Sequence, residues 1–286
     1  MQIEVNGTRL WFDVEGPALV PDGSTMCERP TVVLLHGGPG SYDHSYFKPY
    51  FSRLASVAQV VYLDLRDHGR SARHDPTDWT FELCADDVRA FCGALGIVRP
   101  IVFGHSMGGF VAMLYGIRHP DHAGGLILQS TFARFDLDRL VQGFRRAAGD
   151  EVAELARRDY GGDPVTDAQW ARVFAAFGPH VPSPDELARR LRNLEIGQYG
   201  MELMRRFDIV DQLSQITRPT LVCVGDRDGV TPIACSTEIV DAMSPGTATL
   251  ETVDGAGHFP WLDRPDEYWS VLTRFVTSQA RPDGPE

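Results

Sequence analysis

The fold of this chain is decided by one stretch, Pro100-Ile101-Val102-Phe103-Gly104-His105-Ser106-Met107-Gly108-Gly109. An apolar, strand-like run fills its first four positions, and a helix-like stretch continues as far as His119. A serine between a strand and a helix, with glycine on both flanks, is typical of a sharp turn that lifts a hydroxyl clear of the backbone. The stretch therefore predicts an α/β sheet with Ser106 as a candidate nucleophile. Because a serine hydroxyl is a poor nucleophile by itself, a base must activate it.

Apolar runs of strand length recur on both sides of this turn. They cover residues 31–35, 59–65, 100–103, 125–129, 220–224 and 247–253. Uninterrupted apolar strands are typical of parallel sheets that are covered on both faces. Helix-like segments such as residues 81–95 lie between them, so the alternation predicts a mainly parallel sheet with right-handed crossovers. Near the N-terminus, Asn6-Gly7 predicts a β-hairpin, and residues 17–30 are expected to form a polar loop.

The alternation of strands and helices breaks at Thr131. From there to about Leu213 the pattern is helical, with stretches at residues 137–148, 151–158, 168–177 and one that opens at 183–186. We therefore expect a core domain of residues 1–130 and 214–286, with residues 131–213 inserted as a helical cap subdomain. The core pattern resumes at 218–219 and is expected to end with a helix over 265–280 and a frayed tail, 281–286.

Composition limits the classes of function. The 286 residues carry a formal net charge of −12, which excludes nucleic acid and anionic membranes as expected partners, because both need a basic face. No apolar stretch approaches the length of a membrane span, and residues 1–10 show no secretory signal, so a cytoplasmic monomer or homodimer with a small-molecule substrate is expected. The five cysteines form no CxxC pair and no histidine pair has metal-ligand spacing, so no metal or organic cofactor is expected.

Three further motifs follow apolar strands. They are His36-Gly37-Gly38-Pro39-Gly40, Asp64-Leu65-Arg66-Asp67-His68-Gly69-Arg70-Ser71, and Gly225-Asp226-Arg227-Asp228 together with Gly257-His258. With the serine turn, they resemble the motifs of the α/β-hydrolase family over essentially the whole chain. The resemblance implies the α/β-hydrolase fold, a mostly parallel eight-stranded sheet flanked by helices with an inserted helical cap.

The resemblance also implies a catalytic triad in the order nucleophile, acid, base, which here gives Ser106, Asp228 and His258. Ser106 attacks a carbonyl, His258 removes the hydroxyl proton and later protonates the leaving group, and Asp228 orients the imidazole. Asp228 stands at the family spacing, three residues beyond Gly225. Asp226 comes too early and is expected to hydrogen-bond within its own loop.

The oxyanion of a tetrahedral intermediate needs backbone N–H donors. Met107, at the helix N-terminus, is expected to supply one, and the resemblance implies that Gly38 supplies the other. His36 and His105 are expected to tie loops together beneath the site. Asp67 departs from the glycine that many relatives have there, and aspartate is among the better non-glycine residues if φ is positive.

The motifs disagree about the substrate. HGGPG at residues 36–40 is typical of the proline iminopeptidase-like branch, whose members usually have Gly and Trp around the nucleophile, where this chain has His105 and Met107. GHSMGG looks more like esterases, lactonases and carbon-carbon bond hydrolases. An aminopeptidase also needs acids that hold the substrate ammonium, and Glu195 and Glu202 are available in the cap.

We predict hydrolysis of a carboxylic ester or lactone of a small to medium hydrophobic substrate through an acyl-enzyme. The candidate substrate pocket consists of His105, Phe135, Trp170, Tyr199, Met204 and Phe259. The open alternatives are a proline iminopeptidase-like aminopeptidase, a carbon-carbon bond hydrolase and a slow-turnover receptor that keeps the fold. Epoxide hydrolases and dehalogenases are excluded, because those relatives use Asp where this chain has Ser106.

Overall fold

A computed structural model describes residues 1–180 and 183–280. Its strands are β1 (Gln2–Val5), β2 (Thr8–Glu15), β3 (Leu19–Asp22), β4 (Thr25–Glu28), β5 (Thr31–Leu35), β6 (Gln59–Asp64), β7 (Ile101–His105), β8 (Gly125–Gln129), β9 (Thr220–Gly225) and β10 (Ala248–Val253). Eight of them form one sheet in the order β1-β2-β6-β5-β7-β8-β9-β10. The β1–β2 and β2–β6 pairs are antiparallel and every other neighbouring pair is parallel. The predicted eight-stranded, mostly parallel sheet is confirmed.

Helices flank this sheet. They are α1 (Lys48–Phe51), α2 (Phe81–Ala94), α3 (Met107–Arg118), α4 (Leu137–Ala148), α5 (Asp150–Gly161), α6 (Asp167–Ala175), α7 (Pro184–Ala188), α8 (Leu194–Met204), α9 (Ile233–Ala242), α10 (Pro260–Asp263) and α11 (Pro265–Ser278). Short 3₁₀ helices cover His44–Tyr46, Ser52–Ser56, Pro76–Asp78 and Val210–Gln215. None of the described helices is both long and apolar enough to cross a membrane.

The N-terminal region gives one confirmation and one correction. Asn6 and Gly7, with φ of 47° and 71°, form the predicted hairpin turn between β1 and β2, because a two-residue turn of this type needs positive φ at both positions. The prediction of a loop over residues 17–30 was wrong, since β3 and β4 pair there as a separate antiparallel hairpin. Both strands are largely exposed, so no apolar alternation marks them in the sequence.

The segment between β8 and β9, called the insert below, contains α4 to α8 in its described residues 131–180 and 183–213. Helix α7 begins where the sequence predicts it, since the Ser183 hydroxyl accepts from the N–H of Glu186 at 3.3 Å and the Glu186 carboxylate accepts from the N–H of Ser183 at 2.7 Å. The division into core and cap domains stays a prediction. The predicted tail, 281–286, lies outside the described residues.

Helix α8 joins the insert to the core. The N–H of Asn193, the residue before α8, donates to the carbonyl of Gly40 at 2.8 Å, and its side-chain amide donates to the carbonyl of Asp67 at 2.9 Å. A Cβ atom on Gly40 would lie 2.2 Å from the carbonyl oxygen of Asn193, so only glycine permits this approach. The start of α8 therefore rests directly on the loop that follows β5.

Candidate active site

The backbone turns sharply at Ser106, between β7 and α3, with φ of 53° and ψ of −120°. A non-glycine residue with positive φ is strained, and such strain is common where a nucleophile must be presented. A Cβ atom on Gly104 would lie 2.2 Å from the carbonyl oxygen of Gly108, and one on Gly108 would lie 2.2 Å from that of Leu35. The hydroxyl of Thr131 donates to the Ser106 carbonyl at 2.8 Å and holds the turn from the neighbouring strand end.

His258 and Asp228 form a buried pair. His258 Nδ1 lies 2.9 Å from Asp228 Oδ2, and both residues are at most 3% exposed. Asp228 also accepts from the backbone N–H groups of Val230 at 2.9 Å and Thr231 at 2.8 Å and from the Thr231 hydroxyl at 2.7 Å. An ionised carboxylate accepts the Nδ1 proton, so the lone pair of His258 lies on Nε2.

The prediction that Asp226, the other acid in this motif, hydrogen-bonds within its own loop was wrong, because its carboxylate contacts the loop that carries His258. Asp226 is exposed, and its carboxylate accepts from the N–H of Gly255 at 2.7 Å. Gly255 lies three residues before His258 in the same loop. Of the two aspartates that the sequence offers, Asp228 is the one in contact with the imidazole.

The loop after β5 lies against the serine turn. A Cβ atom on Gly38 would lie 3.4 Å from the Met107 sulfur, and one on Gly37 would lie 3.3 Å from Cβ of Ser106. Gly38 has a φ of 150°, and Met107 is the first residue of α3. The two residues predicted to stabilise an oxyanion are therefore neighbours, on the side of Ser106 where α3 begins.

Two buried histidines, His36 and His68, form hydrogen bonds that position this loop. His36 Nε2 accepts from the N–H of Leu65 at 3.2 Å, so its Nδ1 donates to the carbonyl of Gly37 at 2.7 Å. His68 Nε2 accepts from the N–H of Gly40 at 2.9 Å. Burial lowers the pKa of both rings, to about 3 for His68, which keeps each ring neutral and able to accept at Nε2.

Tyr46 and His105 link the two loops that flank Ser106. The N–H of Gly37 donates to the Tyr46 hydroxyl oxygen at 2.9 Å, and this hydroxyl donates to His105 Nδ1 at 2.9 Å. His105 Nε2 in turn donates to the carbonyl of His258 at 3.0 Å. Burial lowers the pKa of His105 well below its usual value, so the ring is neutral. A neutral ring can accept at Nδ1 and donate at Nε2, as these two hydrogen bonds require.

Sequence reasoning missed Tyr46. No spacing or motif distinguishes it from the other tyrosines, because its role depends on partners in two other segments, at Gly37 and at His105. Asp67, in contrast, has a φ of 63°, as expected for an aspartate that replaces glycine at a position of positive φ.

Aromatic rings from both parts of the chain surround His258. Phe259, one of the predicted pocket residues, has its ring 5.3 Å from the imidazole, and the ring of Phe177 from the insert lies 5.4 Å away. The carbonyl of Phe177 also accepts from the N–H of His258 at 2.6 Å. Phe177 was absent from the predicted pocket, because nothing in its sequence neighbourhood indicates that it reaches the histidine loop.

The other predicted pocket residues are not all in contact with the rings around His258. Trp170 packs on Phe177 with ring centroids 6.0 Å apart, and Met204 is buried. Phe135 contacts Phe132, which in turn packs on α3. The hydroxyl of Tyr199 donates to a backbone carbonyl of the core at 3.3 Å. His105 lies beneath the site, with both ring nitrogens engaged.

Among the described residues, one cluster has residue types that can bind a metal ion, and it consists of Asp43, His44 and Asp64. Asp64 Oδ1 accepts from both the N–H and Nδ1 of His44 at 2.8 Å, and its Oδ2 accepts from the N–H of Arg70 at 2.9 Å. Both oxygens of Asp43 accept from backbone N–H groups at 2.8 Å. These carboxylates therefore serve as acceptors that anchor the surrounding loops.

Comparison with known proteins identifies the family. A family model described as the alpha/beta hydrolase fold matches residues 30–265, which include the serine turn and both loops beside it. This chain belongs to the α/β-hydrolase family. The family predicted from the sequence is thereby confirmed.

Relatives of this α/β hydrolase are named for different activities. It is 28% identical over 281 residues to the proline iminopeptidase PfmaB of Pestalotiopsis fici, covering 92% of this chain and 94% of the relative. It is 25% identical over 275 residues to a pimeloyl-[acyl-carrier protein] methyl ester esterase of Aliivibrio salmonicida, covering 94% and 96%. A solved structure, Est816, described as an N-acyl homoserine lactone degrading enzyme, aligns with a TM-score of 0.69 at 25% identity and covers 96% and 100%.

Proposed function

We propose that this α/β hydrolase cleaves a carboxylic ester or lactone through an acyl-enzyme formed on Ser106. The observation that carries the proposal is the buried hydrogen bond between His258 Nδ1 and Asp228, next to a strained serine turn. His105, the residue before Ser106, hydrogen-bonds the His258 backbone, so the nucleophile and the base belong to adjoining segments. The relatives named as an esterase and as a lactone-degrading enzyme support the same class.

The reaction proceeds in two halves. Ser106 Oγ attacks the carbonyl carbon as His258 Nε2 takes the hydroxyl proton, and the carbonyl electrons move onto oxygen. The N–H groups of Gly38 and Met107 stabilise this oxyanion. Its collapse expels the alkoxide, which takes the proton from His258. A water molecule then attacks the acyl-enzyme in the same way and releases the acid and Ser106.

The insert is proposed to act as the cap that forms the apolar part of the substrate site. Phe177 and Phe259 lie against the imidazole, and Trp170 extends the aromatic wall behind Phe177. A wall of this kind favours an apolar acyl or alcohol group. Phe135 and Met204 are proposed to extend it toward α3.

A proline iminopeptidase-like activity is the second candidate. The HGGPG motif and the relative from Pestalotiopsis fici favour it. An aminopeptidase must bind the substrate ammonium, and the two acids that the sequence offers, Glu195 and Glu202, are both exposed on α8. They are therefore poorly suited to that task, and the ester or lactone reaction is preferred.

The test is a rate comparison between the wild-type protein and Ser106→Ala. Substrates are p-nitrophenyl esters of graded chain length, N-acyl lactones and proline p-nitroanilide. Turnover of esters or lactones that disappears in Ser106→Ala supports the proposal. Turnover of the anilide alone replaces it with the aminopeptidase, and ester hydrolysis that persists in Ser106→Ala refutes the nucleophile assignment.

A further inference from the structure

Three arginines, Arg189, Arg190 and Arg192, follow α7 in the insert. Other arginines of the insert pair with carboxylates, for example Arg172 with Glu151 at 2.6 Å. Within residues 1–180 and 183–280, none of the three forms an ion pair. Arg189 and Arg192 are exposed to solvent, whereas Arg190 is half-buried, so Arg190 is the one of the three whose surroundings are set by the protein.

Arg190 is held in place by aromatic rings. Its guanidinium carbon lies 4.3 Å from the centroid of the Tyr42 ring and 6.0 Å from that of Phe174. Stacking of this kind fixes the direction of a guanidinium group, and the Tyr42 hydroxyl is close enough to accept from one of the Arg190 N–H groups. Its Nε is buried, and among the described residues it has no hydrogen-bond partner. A buried donor without an acceptor costs free energy that an anionic ligand would recover.

Two chains of rings lead from Arg190 to the imidazole. The Tyr42 ring lies 6.3 Å from Phe259, and the Phe174 ring lies 5.0 Å from Phe177. Phe259 and Phe177 are the two rings that contact His258. Arg190 is thus one ring beyond the residues that surround the base, and it lines a crevice together with Tyr42 and Phe259.

The charge of this crevice is positive. Arg189 and Arg190 both line it, Glu186 is the one acid among its described lining residues, and the carboxylate of neighbouring Asp43 is buried and accepts from two backbone N–H groups. The Glu186 carboxylate already accepts from the hydroxyl of Tyr50 at 2.5 Å and from the N–H of Ser183 at 2.7 Å. The site therefore attracts a carboxylate and repels an ammonium group.

We propose that this crevice is an anion subsite, in which Arg190 binds a carboxylate on the ester or lactone that Ser106 cleaves. The inference rests on the proposed function and names the substrate class, a hydrolysable acyl compound with a free carboxylate. A guanidinium group suits this ligand, because two of its N–H groups match the two oxygens of a carboxylate. The proposed subsite also distinguishes the ester or lactone reaction from the aminopeptidase reaction, because the N-terminal ammonium group of a peptide would be repelled by the Arg190 guanidinium group.

The first experiment compares matched substrates. Wild-type kcat/KM is measured for the mono-p-nitrophenyl ester of glutaric acid and for p-nitrophenyl 5-methylhexanoate, which has the same shape without the charge. A second pair of substrates differs in the leaving group. It consists of phenyl butyrate with a para-carboxylate on the phenyl ring and the neutral compound with a para-carboxamide in its place. We expect a preference of about tenfold or more for the anion in one pair, mainly in KM, and weaker in high salt. The pair that shows it identifies the side of the scissile bond that faces Arg190.

Variants assign the preference to Arg190. Arg190→Gln is expected to abolish the preference, because kcat/KM falls far more for the anionic ester than for its neutral counterpart, whereas Arg190→Lys keeps part of the preference. Arg146→Gln removes one exposed positive charge from α4 and is expected to keep the full preference. No preference in the wild type, or a preference that survives Arg190→Gln, overturns the inference.

Binding separates this inference from the hydrolase proposal. Glutarate is titrated by calorimetry into Ser106→Ala and into the same protein with Arg190→Gln added. Binding that is lost with Arg190 supports the subsite even if no ester tested is cleaved. Equal affinity in the two proteins, or no binding to either, counts against the subsite even if Ser106-dependent hydrolysis is observed.

Discussion

The core side and the insert side of the site are built from different interactions. On the core side, directional hydrogen bonds hold His36, Tyr46, His105, Asp228 and His258 within 3.2 Å of their partners. On the insert side, the rings of Phe174, Phe177 and Trp170 pack at centroid distances of 5.0 to 6.5 Å. Hydrogen bonds weaken steeply with misalignment, whereas ring contacts tolerate exchange. If the proposed function holds, the core fixes the atoms proposed to react, and the insert is the part in which selectivity can change.

The largest expected effect separates the two aspartates of the core. Asp228→Asn cannot accept the Nδ1 proton as a carboxylate does, so we expect kcat to fall by a factor on the order of 10⁴. Asp226→Asn, whose side chain contacts Gly255, is expected to stay within about threefold of wild type. Steady-state kinetics on the best ester decide. Similar losses in both variants would mean that the loop, not the acid, controls the rate.

The next largest effect compares glycines from the two regions. Gly108→Ala places a Cβ atom 2.2 Å from the Leu35 carbonyl, and we expect a loss of about 3 kcal/mol in the free energy of unfolding. Gly161→Ala, at the end of α5, meets nothing closer than 3.7 Å and is expected to be neutral or to stabilise by up to about 1 kcal/mol. Urea unfolding measures both values. A Gly108→Ala protein with wild-type stability would show that the turn is not packed this closely.

A smaller effect tests the link through Tyr46. Tyr46→Phe leaves the Gly37 N–H without its acceptor and His105 Nδ1 without its donor, so we expect kcat to fall by about 10- to 100-fold with little change in KM. Tyr50→Phe removes an outer hydroxyl that contacts Glu186 and serves as the control. If the two variants behave alike, the bonds between the loops do not position the reacting groups.

The smallest effect is expected on the insert side. Phe177→Leu keeps most of the apolar volume next to His258, so kcat on a short ester is expected to change by less than about fivefold. The preferred acyl chain should become longer, because the smaller side chain opens the wall. The chain-length profile of kcat/KM tests this. A fall in kcat as large as that expected for Tyr46→Phe would contradict the proposed difference between the core side and the insert side of the site.

The parts of the molecule that the sequence predicts are those that local pattern determines. Continuous apolar runs identified the parallel strands, and the glycines around Ser106 identified the turn. The β3–β4 hairpin was missed because exposed strands leave no apolar alternation. Tyr46, Phe177 and Arg190 were missed because each gains its role from partners far away in the chain, and single-sequence patterns contain no record of such contacts. Asp228 could be selected as the candidate acid because its spacing from Gly225 is typical of the family, although the local pattern does not show its contact with His258.

The contact between Asn193 and the loop after β5 has a consequence for attempts to redesign selectivity. Because the start of α8 rests on Gly40, a foreign insert grafted onto this scaffold would disturb the loop after β5, which is proposed to stabilise the oxyanion, unless it kept an equivalent of Asn193 and a close helix start there. Exchange restricted to residues 132–188 would leave this junction intact and would keep Thr131, whose hydroxyl donates to the Ser106 carbonyl. The useful boundary for building chimeras therefore lies before Asn193, inside the insert, rather than at the ends of β8 and β9.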